Sequence, residues 1–216
     1  MKKKEHNAYH EAGHCIISMF FYDELNIREI TINSVKAKEI DVTYNGGFDF
    51  GWKIKPQATD YNSGDKIVLI LLGGMCSTTI YDKGNKYVKN NIEKFPYDDK
   101  LLYSKGADVD YDVAKSYIEP IASCFQVNRI KTQWNAFFYV FHYLLIPEVW
   151  EAVVSLAEGM LKKNNKSLNH DEIIKILEDI GYLKFLEKNK TNLLKLRYPL
   201  NRNKLALRWP IYKYSI

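Results

Sequence analysis

The feature that most constrains this chain is the string His10-Glu11-Ala12-Gly13-His14. Two histidines four positions apart share one face of a helix, and from there they can present their imidazoles to a single ion. The surrounding residues supply the helix. Ala8, Ala12, Cys15, Ile16, Met19 and Phe20 recur at three- and four-residue steps, so residues 4–22 are expected to be helical. Neutral imidazole nitrogen binds zinc at about 2.0–2.1 Å, a reach that one helical turn permits. Glu11, one residue along, falls beside such an ion, in the place of a group that holds and deprotonates a water. His10 and His14 are therefore candidate metal ligands, and Glu11 is the candidate catalytic base.

A catalytic zinc site has three protein ligands and one open position. No histidine follows at short spacing, since the next after His14 is His142. The acidic candidates are Asp108, Asp110 and Asp112. With Glu119 at the twelfth place they imitate a calcium loop, but Val113 stands where that loop needs glycine, so calcium is excluded. Carboxylates clustered at a helix start are otherwise simply favourable there. Of the remaining histidines, His6 is expected to be exposed in the first turn of the helix. His142 is expected in a core or groove among aromatic residues, and His170 on a polar surface.

Residues 27–33 alternate in polarity, 39–44 do so less cleanly, Asn45-Gly46-Gly47 reads as a turn, and 48–55 alternate until Pro56. That predicts a small sheet of two or three strands. From Ser63 the pattern is helical. Ser63 or Asp65 caps a helix reaching Tyr81, and Gly73-Gly74 within it costs about 1 kcal/mol per glycine relative to alanine, a sign of close packing against another backbone. A polar loop over 82–100 precedes helices over 107–125, 128–145, 147–162 and 169–180. Asn169 and Glu172 form a capping box at the last of them. The expected fold is mainly α with a small β-sheet (α+β). One domain is expected over residues 1–182, followed by a basic extension over 183–216 with nine Lys/Arg against the single Glu187.

Composition narrows the setting. At 216 residues and 46% hydrophobic, the chain can bury a real core. Three cysteines are too few, and odd in number, for a disulfide scaffold; Cys15, Cys76 and Cys124 are expected to be reduced and buried. No run reaches about 18 uninterrupted apolar residues, and His10, Glu11 and His14 break the stretch where a leader would need an apolar core. A cytoplasmic protein without a membrane span is expected. The net charge of +5 resides in the extension, but no helix-turn-helix, RRM or KH signature accompanies it, so nucleic acid is not the expected partner.

Ala8-Tyr9-His10-Glu11-Ala12-Gly13-His14 resembles the AYHEAGH string of the peptidase domain of FtsH-type membrane-anchored AAA+ zinc metalloproteases. Leu71-Leu72-Gly73-Gly74 is similar to that family's LLGG helix, and Gly106-Ala107-Asp108-Val109-Asp110 to its GA-x-N-D stretch. Residues 150–161 and the run Ser167-Leu168-Asn169-His170-Asp171-Glu172-Ile173 are similar to its closing helices. The resemblance covers roughly residues 4–181. It implies a zincin-like helical peptidase domain with Zn2+ as cofactor, Asp110 as the third ligand and Glu11 as base. It also implies that an extended polypeptide substrate pairs with an edge strand. Here Gly51-Trp52 lies over the family's G-Y pair, which makes Phe48, Phe50, Gly51 and Trp52 the candidate substrate-binding residues.

The chain departs from the family at Thr78 and Thr79, where acidic residues are usual, and at Val109, where asparagine is usual. It contains no G-x-x-x-x-G-K-[ST] phosphate loop. The implied activity is that of a stand-alone zinc metallopeptidase acting on unfolded or extended polypeptides, as a homo-oligomer or with a separate unfoldase. Two alternatives stay open: a catalytically weak or inactive FtsH-peptidase-like binding or regulatory module, and a regulatory protein whose basic tail docks on nucleic acid.

Overall fold

The apolar stripe of the first helix is deeply buried: Ala8, Ala12, Cys15, Ile16 and Met19 have essentially no exposure. A computed structural model describes residues 2–36, 43–53, 61–92, 108–124, 126 and 128–195. In it α1 (Lys2–Met19) lies between α2 (Tyr61–Lys83) and α6 (Pro147–Lys162). The α1–α2 contact is backbone on backbone. A Cβ on Gly73 would stand 2.7 Å from the Gly13 carbonyl, so the glycine pair is what lets the helices meet, as its cost in helix propensity suggested. The Ser77 hydroxyl then bonds the Tyr9 carbonyl at 2.6 Å and joins the two helices beside the motif.

The sheet has three antiparallel strands in the order β2-β1-β3. β1 is Leu25–Lys36, β2 is Thr43–Trp52 and β3 is Ser167–Asn169. Two expectations are corrected here. Asn45-Gly46-Gly47 is not a turn but lies inside β2, paired with β1 at Asn45↔Ser34 and Gly47↔Thr31. The third strand is not drawn from residues 39–55; it is β3, which pairs with Glu29, Ile30 and Thr31 of β1. β1 carries the irregularities in the β1–β2 register, between Ile27 and Glu29 and between Thr31 and Ser34; among the described residues β2 is one of the two outer strands, β3 the other.

The other helices are α3 (Asn85–Asn91), α4 (Asp108–Cys124), α5 (Arg129–Leu144), α7 (His170–Asp179) and α8 (Tyr182–Lys195). The protein is thus mainly α with a small β-sheet, as the pattern predicts. The short α3 falls within the expected polar loop, anchored by buried Val88. The capping box at α7 is present, with Glu172 N donating to Asn169 Oδ1 at 3.1 Å and Asn169 N to Glu172 Oε2 at 3.0 Å. α8 begins the expected basic extension. Its Tyr182 is buried, with its hydroxyl 2.7 Å from that of Tyr143, and Lys190 pairs with Asp23.

Cys15 and Cys76 are free and buried, and burial pushes both thiols above their ordinary pKa. The side chain of Cys124, the ends of the expected strands at 39–42 and 54–55, the loop from 93 to 100, Gly106-Ala107 and the extension over 196–216 lie outside the described residues. Among the described residues one helix segment, Ser63–Lys83, is long and apolar enough to cross a membrane, although the sequence contains no uninterrupted apolar run of that length. Of its most apolar stretch 83% is buried inside the protein, the position of a core helix. α5 and α6 pass the same test only if taken together, and they are bent by 83° at Pro147.

Candidate metal centre

Two helices deliver three donor atoms to one point. α1 presents His10 and His14 from successive turns, with Nε2 atoms 2.9 Å apart. The first turn of α4 brings Asp110, whose Oδ2 lies 2.8 Å from His10 Nε2 and 3.1 Å from His14 Nε2. α2 forms the wall behind them, where a Cβ on Gly74 would stand 2.5 Å from His14 Nε2. Asp110 is thus the acidic candidate that reaches the motif. Asp112 is exposed on the same helix, and the side chain of Asp108 lies outside the described residues.

The donor set fits a divalent cation. His14 Nδ1 donates to the Ile70 carbonyl at 2.7 Å, which fixes its tautomer and turns the Nε2 lone pair inward. That lone pair, the His10 Nε2 and a carboxylate oxygen face one another at hydrogen-bond range, so the cluster needs positive charge at its centre. Tetrahedral zinc with ligands at about 2.0–2.1 Å separates them by about 3.4 Å. The observed spacings are a few tenths shorter, within reach of small side-chain rotations.

Without an ion, the cluster favours a proton on His14 in its place. Burial works against a charged His14, but the Asp110 carboxylate, aided by Glu11 and the Ile70 carbonyl, pushes its pKa up to about 9. Burial and the neighbouring His14 lower the pKa of His10. Burial would raise Asp110, yet the two imidazoles hold it well below the usual carboxylate range.

Glu11 is buried (7% exposed) beside this cluster, and burial, opposed by His14, raises its pKa to about 8. What encloses it is the backbone of β2. Gly46 has φ of +135°, and a Cβ there would stand 2.5 Å from Glu11 Oε1. Both facts demand glycine, which explains why a sequence that reads as a turn runs through a strand. Gly46 is the functional position that the sequence reading missed. Gly46→Ala is expected to displace the carboxylate while sparing the ligands. A misplacement of about 1 Å costs on the order of a hundredfold in turnover, which parallel measurements of rate and bound metal would show as lost rate at full metal content.

On the same face of β2, two residues on, Phe48 is half-buried. Its ring stacks at 6.4 Å from that of His14, and Phe50 stacks on Phe48 at 4.9 Å. Gly51 and Trp52 follow on this outer strand, with Trp52 packed against the core. The departures from the family pattern also find places. The hydroxyls of Thr78 and Thr79 bond back into α2, to the Met75 carbonyl at 2.9 and 2.8 Å. Val109 is 49% exposed. His6 is half-buried, 3.5 Å from Asp82. His142 is exposed on α5, not in the core, because the aromatic residues around it face inward without it. His170 is half-buried rather than on an open surface, since Nδ1 donates to the Ile27 carbonyl at 2.9 Å and holds α7 to β1. No family model matches the chain, and no curated protein matches it.

Proposed function

We propose that this chain is a zinc-dependent metallopeptidase that hydrolyses peptide bonds in extended or unfolded polypeptides, of the kind found in FtsH-type peptidase domains. The observation that carries the reading is the meeting of His10, His14 and Asp110 beside the buried carboxylate of Glu11. These three residues would hold the zinc. When bound, zinc polarises a carbonyl and lowers the pKa of a water to about 7.

The chain's own residues do the rest. With a divalent cation beside it, the Glu11 carboxyl would be held ionised against the effect of burial, and it would accept the proton of the attacking water and return it to the leaving amine nitrogen. Gly46 keeps that carboxylate in place. The outer edge of β2 offers backbone donors and acceptors to an extended substrate, an interaction that tolerates many sequences, while Phe48 and Phe50 give apolar side chains a surface next to the centre.

The test uses the whole chain with a reduced, alkylated and therefore permanently unfolded protein as substrate. Cleavage is expected with bound zinc, should vanish on chelation and return with added zinc. Stoichiometric zinc without cleavage would favour the binding-module alternative, and no zinc uptake would remove the reading altogether.

A further inference from the structure

Asp110 sits in the first turn of α4, where the backbone amides have no partners within the helix, so the turn depends on outside contacts to hold its position. The next residue supplies one. The Tyr111 ring is buried (5% exposed), 6.3 Å from that of Phe137 on α5, with Lys115 Nζ 4.2 Å from its centroid. Its hydroxyl accepts a hydrogen bond from the side-chain amide of Gln133, which is also buried on α5.

We propose that the Tyr111–Gln133 hydrogen bond is a positioning device for the metal centre, fixing the rotation of α4 so that Asp110 meets His10 and His14. The inference rests on reading those three residues as a metal site. The magnitudes favour a directional contact. A carboxylate oxygen lies about 5–6 Å from its helix axis, so a 10° rotation of α4 moves it by about 1 Å. Metal–ligand distances tolerate only about 0.2 Å. The close packing of Tyr111 against Phe137 sets the rotation of α4 coarsely, and a directional contact refines it. A hydrogen bond weakens steeply with misalignment, and an unpaired buried amide is costly, so the bond resists the rotation.

The experiment titrates zinc into the chelated full-length chain against a chromophoric competitor and records the cobalt(II) absorption spectrum. Tyr111→Phe and Gln133→Leu are each expected to weaken zinc binding about tenfold, at the lower end of the range for partners that orient metal ligands, and to alter the cobalt band. The double variant Tyr111→Phe/Gln133→Leu removes both partners of this bond at once, and its zinc affinity should stay reduced whatever its thermal stability. Wild-type zinc affinity in both single variants would overturn the proposal, as would full recovery of affinity in the double variant. If the wild type itself took up no zinc, the metal site would fall and this inference with it.

Discussion

Glu11→Gln is expected to lose between about a hundredfold and ten-thousandfold of the hydrolysis rate on an unfolded protein while keeping its metal, the range that a positioned general base contributes. Glutamine has nearly the same shape, so it fits under Gly46, where Oε1 of Glu11 now packs. The change removes the capacity to take up a proton. It also removes a carboxylate from a buried site (7% exposed), so folding should not suffer. Initial rates and metal content measured on the same preparations separate the outcomes. A loss below about tenfold at full zinc occupancy would take Glu11 out of the chemistry.

The second large effect is expected at the third ligand. Asp110→Ala leaves two imidazoles where three donors met, and two ligands seldom retain zinc through purification. Zinc per chain should fall from near one to a small fraction. Bound zinc stabilises the fold by mass action, by about 4 kcal/mol at a thousand times its Kd. For a domain of this size about 1 kcal/mol moves Tm by 2–4 °C, so zinc should raise the wild-type Tm by roughly 8–16 °C and that of Asp110→Ala hardly at all. Asp112→Ala is the control. Asp112 is exposed two positions further along α4, and its removal should leave zinc content and the zinc-dependent shift intact.

The parts of this centre that sequence reveals are the local ones. His10 and His14 lie one turn apart on the same helix, so their spacing already implies a shared ion, and the apolar stripe beside them defines which face is buried. The capping box at Asn169 and the helix running through Gly73-Gly74 are local in the same sense. Asp110 is different. Three carboxylates alternate at 108, 110 and 112, and which one faces α1 depends on the rotation of α4, set by packing that no local pattern carries. Only the family resemblance singled out Asp110.

Gly46 reads as part of a turn because a tight turn and a strand pressed against a side chain call for the same residue. β3 leaves no mark in the sequence, because three residues are too few for a period and its partner β1 lies more than 130 positions away. The Tyr111–Gln133 bond joins two helices and has no sequence signature at all. α2 shows the converse limit, since a buried core helix and a membrane-crossing helix have the same composition and differ in what surrounds them.

Whether two imidazoles and one carboxylate hold a single zinc ion is read out by X-ray absorption at the zinc edge of the purified protein. One zinc per chain is expected, in a shell of nitrogen and oxygen at about 2.0–2.2 Å that is lost in Asp110→Ala. A sub-stoichiometric edge, or a shell containing sulfur at about 2.3 Å, would contradict it.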